Sequence, residues 1–171
     1  MALIPIRMPD AAIHMHADRR LVFQVVTAFG PASGSKVLEH ESDRLLVEFH
    51  TQGRNLIGQR KSYRTVEWVM PSEPSSVDFE LVEGPLSMLH DRFILEEQAG
   101  CTRFVYQSEF GVKGWIAGWL LGRLAVRPML RRMMREHVVD IKQTVELRAQ
   151  RSMAFPQQPC KWGMEASGNG E

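Results

Sequence analysis

The chain has 171 residues, which suits one domain with a sizeable core. Apolar residues make up 44% and charged residues 24%, and the formal net charge of +1 leaves no global field to gather nucleic acid or an acidic partner. Cys101 and Cys160 form no CxxC and no metal-ligand spacing, and both read as free thiols of a reducing, cytoplasmic compartment.

In chain order, residues 1–10 lack the long apolar core of a signal peptide and are expected to be loose, apart from a possible strand start. Ala11 to His16 reads as a first strand. Asp18 is placed to cap a helix through Phe29, with Leu21, Val22, Val25, Val26 and Phe29 on one face. Gly30-Pro31-Ala32-Ser33-Gly34 ends that helix. Short strands follow at Lys36 to His40 and Arg44 to Thr51, then a loop at Gln52 to Gly58. Gln59 to Met70 is a strand rich in β-formers, with apolar residues on both faces. Val77, Phe79 and Leu81 alternate with Asp78, Glu80 and Val82, which gives one apolar face. Leu86 to Glu96 and Thr102 to Val112 form a hairpin across Glu97 to Cys101.

From about Lys113 to Arg148 the pattern is helical, with Leu130, Met134, Val138, Ile141 and Val145 on one stripe. Pro128 either kinks this segment or starts a second helix. The most apolar stretch, Trp115 to Leu130, is too short for a membrane span and is interrupted by Arg123, Arg127 and Pro128. Residues 151–171 read as a disordered tail. Strands followed by one closing helix define an α+β, helix-grip plan. A curved antiparallel sheet of about six to seven strands, within residues 11–150, wraps a long C-terminal helix.

Several runs carry a family resemblance. Phe79-Glu80-Leu81-Val82-Glu83-Gly84-Pro85-Leu86, Arg92-Phe93-Ile94-Leu95-Glu96 and Gly100-Cys101-Thr102-Arg103-Phe104-Val105-Tyr106 resemble segments of polyketide cyclase/dehydrase-like proteins of the START (SRPBCC) superfamily, which includes coenzyme Q-binding proteins. The ending Leu124-Ala125-Val126-Arg127-Pro128-Met129-Leu130-Arg131-Arg132 resembles that family's closing helix. The resemblance covers about residues 11 to 148 and implies a helix-grip fold with an apolar cavity. Many members carry an aromatic near a short second helix. Here the stretch from Gly30 to Lys36 has none, so a differently shaped cavity mouth is expected.

The cavity residues follow from the strand faces. Phe79 and Leu81 share one face, as do Leu89, Asp91 and Phe93, and Phe104, Tyr106 and Ser108. Trp119, Met133 and His137 on the closing helix complete the candidate lining. An apolar and aromatic pocket with a few polar groups suits a hydrophobic small molecule, with Asp91, Tyr106 and Ser108 orienting it. Met88, Met129, Met133 and Met134 fill irregular space or adapt to a ligand. Gly114, Gly118 and Gly122 read either as close approach of helix to sheet or as a weak helix start over the cavity mouth.

His137 and Asp140 lie three apart and read as a helix-surface pair. No GxSxG, HExxH, P-loop or dinucleotide fingerprint occurs, and no metal-ligand cluster, so neither a metal nor a cofactor is expected. Three functions fit. The first is a non-catalytic carrier or sensor of a lipid, quinone or polyketide-like molecule. The second is an aromatase/cyclase or dehydratase using Asp91, Tyr106 and Arg92. The third is an interaction protein using the basic helix, where Trp115, Trp119 and the arginines from Arg123 to Arg135 suit peripheral contact with an anionic membrane. Nucleic acid is not expected, because no base-stacking motif accompanies these arginines.

Overall fold

The computed structural model describes residues 3–54, 58–98, 100–157 and 160. β1 (Ile6–Arg7) and β2 (Ala11–Met15) lead into α1 (Arg19–Val26) and a single 3-10 turn, Pro31–Ser33. An antiparallel meander follows: β3 (Ser35–His40), β4 (Leu45–Arg54), β5 (Arg60–Ser72), β6 (Ser76–Glu83), β7 (Met88–Gln98) and β8 (Cys101–Gly111). The chain closes with α2 (Trp115–Leu121), a wide π turn (Gly122–Val126) and α3 (Arg127–Arg151). The sheet order is β1-β8-β7-β6-β5-β4-β3, and β2 also pairs with β8. This is the predicted α+β helix grip, with eight strands rather than six or seven.

β1 lies in the stretch expected to be loose. Ile6 pairs with Phe110 and Arg7 with Glu109. An unpaired β8 edge would leave a row of open backbone groups, and β1 and β2 cover it between them. Ile6 and Met8 are buried as a result.

The inner face of the sheet follows the predicted alternation. Across β7 and β8, Leu89 opposes Phe110, Asp91 opposes Ser108, Phe93 opposes Tyr106 and Leu95 opposes Phe104. The facing of β5, ambiguous in the sequence, is fixed by its neighbours. Glu67 lies between Val47 and Leu81, and Val69 between Leu45 and Phe79. Tyr63, Thr65, Glu67 and Val69 therefore point inward. Trp68 points outward, under the Arg44 guanidinium at 4.0 Å. Val82 is the extra residue where the β5–β6 register shifts, a bulge that bends the sheet.

Asp18 caps α1 as expected, accepting from the Arg20 backbone N–H at 2.7 Å. The helix ends at Val26 rather than Phe29. Thr27 turns its hydroxyl onto the Phe23 carbonyl at 2.7 Å, and the chain leaves toward the Pro31–Ser33 turn. On α3, Met134, Val138, Ile141, Val145 and Ala149 are buried, which extends the predicted stripe.

Pro128 stands in the first turn of α3, and the π turn just before it takes up the irregularity of its missing N–H. Gly122 supports the close-approach reading, since a Cβ there would sit 2.6 Å from Ile6 Cδ1. Among the described residues no helix is long and apolar enough to cross a membrane.

Cys101 and Cys160 form a disulfide with Cα atoms 5.0 Å apart, which corrects the expectation of free thiols. The chain does not run straight off α3. Ser152 Oγ accepts from the Phe155 N–H at 2.8 Å, and Phe155 packs on the core. Cys160 is joined to the β7–β8 hairpin, where Cys101 is buried. The pairing removes the thiol argument for a reducing compartment. Most of the expected disordered tail, residues 158–159 and 161–171, lies outside the described residues, as do residues 55–57 of the predicted loop.

Phe104 is fully buried and packs on Phe93 at 5.1 Å. Phe104→Ala is expected to destabilise the fold by about 3–5 kcal/mol in urea unfolding, the range for deleting a buried aromatic ring. A loss below about 1 kcal/mol would mean that this end of the sheet is not the packed core described here.

Candidate functional site

Sheet and helix enclose a cavity of about 860 Å³. Its floor is the inner face of β4 to β8 and its roof is α3 from Met129 to Arg148. The end of α1 and the Pro31–Ser33 turn form one wall, and Pro85 and Leu86 with Val126 form another. This volume suits a drug-sized molecule. An aromatic row crosses it. Phe29 meets Phe49 at 5.8 Å, Phe49 meets Phe79 at 6.2 Å, and Phe79 meets Phe93 at 4.8 Å. Phe93 then meets Tyr106 edge-on at 4.9 Å and His137 at 6.1 Å.

The structure brings together nine of the predicted lining residues: Phe79, Leu81, Leu89, Asp91, Phe93, Tyr106, Ser108, Met133 and His137. Phe104 and Trp119 are not part of the lining. Phe104 is one pair further along β8, against Leu95 in the solid core. Trp119 packs on the other end of the core, with the Arg123 guanidinium 5.4 Å from its ring. Arg92, a candidate for chemistry, faces outward and lies 3.5 Å from Asp78. His137 and Asp140 both line the cavity, which corrects the helix-surface reading.

The polar groups gather on β5, β7 and β8. The Tyr106 hydroxyl donates to Asp91 Oδ2 at 2.7 Å. Asp91 Oδ1 is buried and has no hydrogen-bond partner among the described residues. Burial raises the Asp91 pKa, an effect only partly offset by the Ser108 and Tyr106 hydroxyls. Burial also drives the Tyr106 phenol well above its usual range, and the neighbouring Asp91 carboxyl adds to this.

Glu67 is the residue that strand reading missed. It is 8% exposed and accepts from the Thr65 hydroxyl at 2.6 Å. Burial, reinforced by the Asp91 charge, raises its pKa to about 7. The His137 ring is open to the hollow but walled in by protein, and that enclosure lowers its pKa and keeps it neutral at pH 7. Carboxyls, a phenol and an imidazole can hold or pass protons inside an apolar chamber.

No protein-family model matches the chain, and no curated protein matches it. Solved structures do match. The Zhui aromatase/cyclase from a Streptomyces species superposes with a TM-score of 0.65 at 17% identity, over 88% of this chain and 98% of that one. A START superfamily protein from Mycobacterium smegmatis gives 0.60 at 15% identity, over 83% and 99%. The di-domain aromatase/cyclase BexL gives 0.60 at 14% identity, and this chain spans 49% of it. At such identities the likeness is one of fold: the chain has the helix-grip fold of these proteins.

Because the folded pKa of Glu67 lies above its ordinary value of 4.5, the folded state holds a proton that the unfolded chain loses first. Stability is therefore expected to fall as pH rises from 4.5 to about 7. Glu67→Gln should flatten that slope and raise stability near pH 8 by up to roughly 3 kcal/mol. Urea unfolding of both proteins at about pH 5 and about pH 8 measures this. An unchanged slope in the variant would assign the pH dependence to another group.

Proposed function

We propose that the protein binds a hydrophobic small molecule in the hollow between sheet and helix, as a carrier or sensor that does not transform it. The carrying observation is the cavity of about 860 Å³, walled by an aromatic row and by methionines of α3. The fold shared with a START superfamily protein supports this reading. Native mass spectrometry of freshly purified protein, with an organic extract alongside, tests it. A retained apolar molecule supports the carrier, and its mass gives its class. Leu89→Trp, which fills the middle of the cavity, is expected to weaken binding of the neutral dye Nile red by about tenfold or more. Binding unaffected by that substitution would place the dye outside the cavity.

A second reading, an aromatase/cyclase or dehydratase, is favoured by Asp91 and Tyr106, which face the chamber and are hydrogen-bonded to each other. The counterparts Zhui and BexL are aromatase/cyclases. Incubating the extracted molecule with fresh protein separates the readings. A change of mass by loss of water marks the enzyme, and an unchanged mass marks the carrier.

Peripheral membrane contact fits the surface beside the roof. Ile116, Leu120, Leu121 and Leu124 are 58%, 49%, 50% and 67% exposed, on consecutive turns of α2 and the π turn. Arg123, Arg127 and Arg131 follow at helical spacing, each able to contribute about 1 kcal/mol at an anionic surface. In co-sedimentation with phosphatidylserine vesicles, Leu121→Asp combined with Leu124→Asp is expected to lower partitioning about tenfold. Equal partitioning of wild type and variant would remove this surface from the account.

A further inference from the structure

The polar end of the cavity is acidic and, among the described residues, no Lys or Arg reaches it. Glu67 and Asp91 both face the hollow, on either side of the β6 pair Phe79 and Leu81. Their Cα atoms are at least two strand spacings apart, ~10 Å. Tyr106 donates to Asp91 Oδ2, Thr65 donates to Glu67 Oε1, and Asp91 Oδ1 is left buried without a partner. His137 opposite them is neutral, and Asp140 adds another carboxyl on the same helix. Arg148 is the cavity's arginine, but it lies on α3 about 16 Å from His137 along the helix, at the rim.

Oxygen acceptors without counter-ions in an apolar chamber repel an anionic head, which would lose its water and gain no positive partner. They favour a head that donates hydrogen bonds, because such a head satisfies the acceptor the fold leaves open.

We infer that the cavity selects an apolar molecule whose polar head is a non-anionic hydrogen-bond donor, a hydroxyl or an ammonium, held at Glu67 and Asp91, and that it discriminates against carboxylate-headed ligands of the same skeleton. This rests on the cavity being a binding site and adds the chemistry of the ligand's head. It sets fatty acids and other carboxylates apart from alcohols, phenols and amines.

The experiment uses the full chain and three probes that share one ring system: pyrenylmethylamine, pyrenylmethanol and pyrenecarboxylate, each displacing Nile red near pH 8. The expected result is that the amine, the alcohol or both bind at least tenfold more tightly than the carboxylate. A carboxylate that binds within threefold of both, or more tightly, overturns the inference while leaving the cavity as a binding site. If neither the dye nor any probe binds, the cavity reading fails and the inference with it. Glu67→Gln and Asp91→Asn are read only as the ratio of donor-probe to carboxylate affinity, so a general loss of binding cancels. That ratio should fall at least threefold, and an unchanged ratio assigns the selectivity elsewhere and overturns the role of these carboxyls. Arg148→Gln serves as the opposite arm: carboxylate binding that depends on Arg148 would show the head seated at the rim, against the inference. Should either carboxyl variant fail to fold, the wild-type series alone decides.

Discussion

The structure depends on a sheet that is covered at its two ends and open in its middle. At one end Ile6, Phe110 and Gly122 are close packed, so the helical segment touches the sheet there. At the other, Leu95, Phe104, Met15 and Val145 form solid core with α1 and the second half of α3. Between these anchors the sheet curves away from α3. Each end supplies the burial that holds the fold together, and the middle is left free to be hollow.

A hollow changes what the polar residues on its wall can be. On an exposed strand Glu67 would be an ordinary carboxylate, and in a packed core it would be excluded. On a cavity wall it keeps one hydrogen bond, from Thr65, and holds its proton to about pH 7. Asp91 and Tyr106 occupy the same kind of place two and three strands further on, tied to each other at 2.7 Å. The cost of desolvating these groups is carried by the packed ends.

Much of this was legible in the sequence because strands report their faces. The alternations of Val77, Phe79 and Leu81, and of Leu89, Asp91 and Phe93, carry their facing in the period of two, and a neighbouring strand confirms the register. Glu67 escaped because β5 has apolar residues on both faces, with Trp68 and Val66 outward, and only pairing with Val47 and Leu81 fixes which way it turns. Phe104 and Trp119 share a face or a helix with true lining residues. Alternation tells inside from outside but not where along a strand the core ends and the hollow begins. The disulfide was illegible for a related reason. It depends on the return of Phe155 to the core, a tertiary contact with no local signature in a stretch rich in proline and glycine.

The two fastenings of the long helix have a mechanical consequence. Its front is seated through Gly122 against Ile6 and Phe110, and its rear is tied through Phe155 and the Cys101–Cys160 link to the β7–β8 hairpin. A rod fixed at both ends cannot swing out as a hinged cover does. The side wall from Ala28 to Ser35 is fastened differently. There the chain is held by local serine hydrogen bonds around Gly30, and no aromatic side chain blocks the stretch from Gly30 to Ser35.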